Sequence, residues 1–136
     1  MKAASVALLL PLMSPAANYS VKSALVDGVE VVQLADAARK TEITVVPSIG
    51  NMAYRMTVNG KNALWVPYEN LGEMKSKPAM GGVPFLAPWA NRLDQDAYYA
   101  NGKKYRLNPE LANFRRDGNQ KPIHGLVVYS PLWRKC

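Results

Sequence analysis

Two short segments of this chain carry side chains that suit a polar ligand. The first contains Asn91 and Arg92, and the second, about thirty residues later, contains His124, the only histidine of the sequence. A guanidinium offers five donors in a fixed planar fork, which matches vicinal hydroxyls or a carboxylate. Histidine changes its charge near neutral pH, so His124 could donate to a substrate oxygen or exchange a proton with it.

Both residues of the first segment also have simpler interpretations. Arg92 could form a structural salt bridge with Asp94 or Asp96, two carboxylates that follow it closely. Asn91 could serve only as a turn former, which is a common role of asparagine in loops. The sequence leaves these alternatives open, and nothing in it marks Asp94 and Asp96 as a matched acid and base.

A lone histidine is more often structural than functional. Pro122 and Gly125 lie on either side of His124 and predict a tight turn of the backbone, which favours the functional interpretation. One histidine without nearby cysteines or clustered carboxylates cannot supply the ligands of a metal site, so no metal is expected.

Four aromatic residues near these segments could stack on the apolar face of a sugar ring. They are Trp89, Tyr98, Tyr99 and Tyr105. Packing within a core or a hairpin is the commoner role of such side chains, and both interpretations remain open at this point.

Short strands and turns are the elements expected to position these residues. Runs rich in β-branched and aromatic residues predict strands, while one polar stretch could form one or two helical turns. The predicted strands are 29–34, 41–46, 52–58, 63–66, 97–99 and 104–107, and the helical stretch is 69–76. Asn59-Gly60 and Asn101-Gly102 each predict a two-residue hairpin, because both central positions of that turn require a positive φ.

The stretch 81–88 is rich in glycine and proline and predicts a rigid loop that cannot continue a regular strand ladder. No linker or repeat divides the chain after its first residues. We therefore expect one antiparallel all-β domain over residues 17–136.

The charge balance is basic, with a formal net charge of +7, but the basic residues are scattered along the chain. None of them forms the run that a nucleic-acid or membrane surface requires, so solvated loop charge is the expected interpretation. Cys136 is the only cysteine, which excludes a disulfide framework within the chain.

The first residues have the pattern of an export signal. Lys2 precedes an apolar stretch at 3–13, and Ser14-Pro15-Ala16 offers small residues at the spacing of a cleavage site. The apolar stretch is shorter than the roughly twenty residues that a membrane span needs. We expect a signal peptide at 1–16, cleavage before Ala17 and a periplasmic or extracellular protein; a buried first strand or helix is the alternative.

The order of the motifs is more specific than any one of them. Asn59-Gly60 and Trp65 are followed by Gly82-Val83-Pro84-Phe85, Pro88-Trp89-Ala90-Asn91-Arg92-Leu93, Tyr105-Arg106-Leu107, Ile123-His124-Gly125-Leu126 and Trp133. This order resembles the N-terminal part of the aldose 1-epimerases, or galactose mutarotases, from about Val29 to Trp133.

The resemblance implies an antiparallel β-sandwich of the galactose mutarotase-like type, here truncated. It also implies interconversion of the α and β anomers of aldoses such as galactose or glucose, without a cofactor. In that family a glutamate takes the anomeric proton while a histidine protonates the ring oxygen. By motif, Arg92 matches the substrate-binding arginine, Asn91 is the asparagine before it, and His124 matches the first of two active-site histidines, which binds and polarises the sugar.

The chain departs from the family in its catalytic groups. The histidine that serves as general acid and the glutamate that serves as general base fall beyond the matched part. The resemblance therefore predicts a fragment that holds part of the sugar site and has little activity. A non-catalytic carbohydrate-binding β-module of the cell envelope is the alternative, and a basic surface protein that binds polyanions is a third.

Overall fold

A computed structural model describes residues 18–133, and this part of the chain consists mainly of antiparallel β-strands. The first five strands form one sheet in chain order. They are β1 (Tyr19–Val26), β2 (Val29–Asp36), β3 (Thr41–Val46), β4 (Met52–Val58) and β5 (Lys61–Asn62). The predicted all-β antiparallel class is confirmed, whereas the predicted signal peptide at 1–16 lies outside the described residues.

Smaller elements follow this sheet. Helix α1 (Leu71–Ser76) begins at Asn70, whose side chain accepts a hydrogen bond from the Glu73 backbone at 2.8 Å. Two two-stranded sheets come next, together with a 3-10 turn at Pro109–Leu111. Their strands are β6 (Ala97–Ala100) with β7 (Lys103–Arg106), and β8 (Arg115–Arg116) with β9 (Pro122–Ile123). No helix within residues 18–133 is long and apolar enough to cross a membrane.

Both predicted Asn-Gly hairpins are confirmed. Asn59 and Gly60 have φ values of 51° and 77°, and Asn101 and Gly102 have φ values of 50° and 71°. The turns join β4 to β5 and β6 to β7. Two consecutive left-handed residues give the twist that the flanking strands need, which explains why asparagine and glycine stand there.

The predicted strand at 63–66 is wrong: the strand register with β4 ends at Asn62, and beyond it the Ala63 backbone donates one hydrogen bond to the Met56 carbonyl at 2.7 Å. The Asn62 side chain accepts from the backbone nitrogen atoms of Met56 and Leu64 and donates to the Leu64 carbonyl at 2.6 Å. These bonds occupy groups that would otherwise continue the ladder. Strand β1, in contrast, was not predicted, although Tyr19, Val21 and Leu25 occupy alternate positions along it.

The core lies on one face of the five-stranded sheet. Val31, Val46 and Met52 project from neighbouring strands, and Leu71 and Met74 of α1 cover them. All five side chains are buried. The helix thus exists at this place because its two apolar residues complete an apolar patch of the sheet.

The opposite face of the sheet, which we call the outer face, carries a continuous apolar row. Val21, Leu34, Ile43 and Met56 are successive cross-strand partners on β1 to β4. Val21 is 69% exposed and Leu34 is 41% exposed. The outer face therefore keeps an apolar surface in contact with solvent.

Strand β4 contains a β-bulge. Val45 pairs with Ala53 while Thr44 pairs with Arg55, so Tyr54 is an extra residue between the two pairs. As a result Met52 lies on the core face and Met56 on the outer face. Met52 and Met56 are four residues apart, and a regular strand would have placed both on the same face.

Candidate functional site

The loop that leads to the candidate site is attached to the main sheet. Val83 exchanges two backbone hydrogen bonds with Ala53 of β4, at 2.8 and 3.1 Å, and Gly82 donates to the Trp65 carbonyl at 2.7 Å. This stretch forms no regular strand, as its glycine and proline content predicts. The attachment fixes where the following residues, 87–93, begin.

Residues 87–93 run beside residues 122–126. Leu93 donates its backbone N–H to the Pro122 carbonyl at 2.9 Å, and His124 donates to the Asn91 carbonyl at 3.3 Å. Arg92 lies opposite Ile123 in this short antiparallel ladder. The structure therefore brings the backbones of Asn91, Arg92 and His124 together, although about thirty residues separate the two segments in sequence.

A tight turn follows at His124 and Gly125, with φ values of 66° and 75°. A Cβ atom on Gly125 would lie 2.1 Å from the Ala87 carbonyl oxygen, so only glycine fits against this backbone. The close approach lets Leu126 donate to the same carbonyl at 2.7 Å. The glycine after His124 is thus required by the contact that holds the two segments together.

The imidazole of His124 is oriented by the neighbouring segment. Its Nδ1 lies 3.0 Å from the Ala90 carbonyl oxygen. Because a carbonyl oxygen can only accept, Nδ1 carries the hydrogen of this bond. Nε2 of the neutral ring is then an acceptor, and it becomes a donor when the ring is protonated.

The Arg92 guanidinium forms a salt bridge with Asp117, and not with Asp94 or Asp96, the two partners considered for the structural alternative. Arg92 Nε donates to Asp117 Oδ2, and Asp117 Oδ1 accepts from the backbone nitrogen atoms of Asn119 and Lys121 at 2.9 Å each. The Asp117 side chain is 8% exposed and that of Arg92 is 56% exposed. Asp117 is therefore largely covered, whereas the Arg92 guanidinium lies at the surface. The two terminal nitrogen atoms of Arg92 have no partner among residues 18–133.

Asp96 has a different partner. Arg116 of β8 binds both of its carboxylate oxygens, at 2.8 and 2.9 Å. Asp94 offers its backbone carbonyl to Lys121 Nζ at 2.7 Å, and its carboxylate has no partner in the described part of the chain. Asp117 is the third carboxylate near the motifs, and the sequence did not indicate it as the partner of Arg92, although Asp117-Gly118-Asn119 is a turn sequence whose aspartate often accepts backbone hydrogen bonds.

The pKa of Asp117 is held below its ordinary value. The hydrogen bond from Arg92 is the largest cause, followed by the backbone N–H of Lys121. The pKa of Asp96 is also lowered, mainly by its hydrogen bonds with Arg116. Both shifts stabilise the carboxylate form.

Acidification should therefore destabilise the fold. A carboxyl group whose pKa is lower in the folded chain contributes stability above its unfolded pKa, about 3.9, and that stability is lost as the pH falls through the folded pKa. The free energy of unfolding should fall below about pH 4, and the fall should be shallower in Asp117→Asn. Denaturant titrations at a series of pH values measure this, and equal pH slopes for the two proteins would contradict the role assigned to Asp117.

A cleft of about 460 Å³ opens beside Arg92. Its wall is formed by residues between 88 and 100, including Trp89, Asp94, Tyr98 and Tyr99. Asn91 and His124 do not line it. Arg92 is therefore the one member of the predicted site that borders this cleft.

The aromatic residues near the cleft divide into two groups. The Trp89 and Tyr98 ring centroids are 5.6 Å apart, and Tyr98 stacks on Tyr105 at 5.1 Å, so these three rings pack against one another. Tyr99 is 68% exposed, with Lys104 Nζ 5.5 Å from its ring centroid. Packing thus accounts for most of this group, and Tyr99 keeps an accessible ring.

No group of three or more histidine, cysteine, aspartate or glutamate residues between 18 and 133 is placed to hold a metal ion.

In comparisons with known proteins, no family model and no curated protein matches the chain. A relationship to aldose 1-epimerases is therefore a proposal that depends on the motifs and on this geometry.

Proposed function

We propose that this chain is an exported aldose 1-epimerase-like protein that binds an aldohexose through Arg92, Asn91 and His124. The observation that carries the proposal is the ladder between 91–93 and 122–124, which joins the two motif segments. A second support is the Arg92–Asp117 pair, which restricts the guanidinium and leaves its terminal nitrogen atoms available for sugar hydroxyls.

We also propose that the all-β fold is of the galactose mutarotase-like type. The five-stranded sheet would be one layer of a galactose mutarotase-like β-sandwich, with the core on one face and the apolar outer face turned to a second layer. The exposed apolar row of Val21 and Leu34 supports this arrangement, because a sheet face with that composition is usually covered in a sandwich.

Substitutions at the site should weaken sugar binding. Hydrogen bonds from a charged group contribute about 1.5–3 kcal/mol, so Arg92→Ala should lower the affinity for galactose or glucose about ten- to hundredfold. His124→Ala should also weaken binding. Isothermal titration calorimetry measures both effects. Arg39→Ala is a matched control, because Arg39 is also an exposed arginine paired with an aspartate, Asp36.

Unchanged affinity in both Arg92→Ala and His124→Ala would contradict the proposed site. Polarimetry on freshly dissolved α-galactose then tests catalysis. The sequence holds a single histidine, whereas the family uses two together with a glutamate base, so mutarotation should stay close to the buffer rate. Clear mutarotation that depends on His124 would show that the chain is catalytically complete.

A non-catalytic carbohydrate-binding module is the second candidate, and the cleft beside Arg92 favours it. Arg92, Asp94 and aromatic rings line that cleft, and it does not need His124. Binding of galactose that survives His124→Ala, without any turnover, would favour the module.

Export has a direct test, since the protein recovered from the periplasm or medium should begin at Ala17.

A further inference from the structure

We propose that the cleft beside β6 is a second carbohydrate site, which shares Arg92 with the site of the proposed function, is built for a neutral pyranose ring and does not use His124. The cleft volume of about 460 Å³ lies within the range of small-molecule sites. Its residues come from the 87–93 segment, from the two residues that follow it and from β6, and His124 does not line it.

The polar groups of the cleft match a sugar hydroxyl. The terminal nitrogen atoms of Arg92 are donors only, and the Asp94 carboxylate is an acceptor only. Within residues 18–133, neither the terminal nitrogen atoms of Arg92 nor the Asp94 carboxylate has a side-chain partner. A hydroxyl group both accepts and donates, so neighbouring hydroxyls of one ring can satisfy the two residues together.

The charges of the cleft select a neutral ligand. Arg92 and Asp94 have opposite signs, and Asp117 already compensates much of the Arg92 charge. A carboxylate ligand would meet Asp94 as a like charge, and an ammonium ligand would meet Arg92. A neutral polyhydroxylated ring meets neither obstacle.

The aromatic wall supplies an apolar surface. Tyr99 lines the cleft and is 68% exposed, with one side of its ring approached by Lys104. The C–H face of a pyranose can pack on such a ring while its hydroxyls reach the polar residues. Together the Arg92 donor, the Asp94 acceptor and the accessible Tyr99 ring match the chemistry of a neutral sugar.

The test uses methyl β-galactoside, which cannot undergo mutarotation, and galacturonate as its charged counterpart. Calorimetry on the full chain should show that it binds the neutral glycoside. The affinity should fall about three- to tenfold in Tyr99→Ala. Asp94→Asn should also weaken it. Tyr19→Ala is the matched control, because Tyr19 is equally exposed at 69% but lies on β1. Thermal melts of each variant confirm that it is folded.

The outcomes separate this site from the proposed function. Binding that is weakened in Tyr99→Ala by about this factor and kept in His124→Ala supports the second site. Binding that is lost in His124→Ala and unchanged in Tyr99→Ala overturns it and leaves the proposed function intact. Tighter binding of galacturonate overturns the neutral-ligand assignment, and no binding of the glycoside overturns the second site.

Discussion

Replacing Gly125 with alanine should lower the free energy of unfolding by about 3–5 kcal/mol. The new Cβ would lie 2.1 Å from the Ala87 carbonyl oxygen, 2.6 Å from its carbon and 2.9 Å from its nitrogen. All three atoms belong to the backbone, so no side-chain rotation can relieve the overlap. The positive φ of 75° adds the strain that an L-residue has in the left-handed region.

The matched control is Gly102→Ala in the β6–β7 turn. Gly102 has a similar φ of 71°, but a Cβ there would meet nothing within 4 Å. This variant should lose only about 1 kcal/mol, which is the cost of the backbone conformation alone. Urea unfolding followed by tryptophan fluorescence measures both variants. Equal losses would show that the approach of the 87–93 segment to the His124 turn does not exist in the folded protein.

Gly125→Ala should also weaken galactose binding, because the overlap must move Ala87 away from the turn and open the ladder that joins Asn91 to His124. Gly102→Ala should leave galactose binding unchanged. A variant that loses stability but keeps full affinity would contradict the proposed sugar site at this turn.

The isolated chain should self-associate through the outer face, and charges placed there should prevent it. Val21 and Leu34 are cross-strand partners in the exposed apolar row. Val21→Lys combined with Leu34→Glu keeps the net charge unchanged and converts an apolar pair into a pair of opposite charges. The monomeric fraction in sedimentation velocity should rise several-fold, because large exposed apolar patches promote association.

The control for this variant uses the other face of the same two strands. Ser20 and Ala35 are also direct cross-strand partners, and Ser20→Lys with Ala35→Glu adds the same charges one position away. This control should leave association unchanged. A wild-type chain that is monomeric, or a control that disperses it equally well, would contradict the role of the outer face.

Local features of the fold could be predicted from the sequence because their causes are local. The strands at 41–46 and 52–58 have the predicted bounds, and both Asn-Gly turns occur where two positive φ values are needed. The strand predicted at 63–66 did not form, because the Asn62 side chain competes with the backbone for hydrogen bonds. Propensity does not include that competition.

The candidate site was predictable only in part. A tight turn after His124 follows from its proline and glycine neighbours, but the ladder with 91–93 connects residues distant in sequence. The choice of Asp117 over Asp94 and Asp96 as the partner of Arg92 also depends on which loops meet. Sequence distance favoured the two nearer carboxylates, whereas the β8–β9 hairpin places Asp117 beside the guanidinium.

The bulge at Tyr54 has a consequence for how this chain tolerates changes in length. Before Tyr54 the even-numbered positions of β4 point to the core, and after it they point to the outer face. Deleting Arg55 while the bulge is kept would place Met56 on the core face opposite Thr44 and Thr57 on the outer face opposite Ile43, which would interrupt the apolar row. Insertions and deletions can therefore accumulate in the turns at either end of β4, while the count of residues between Met52 and Val58 has to stay fixed.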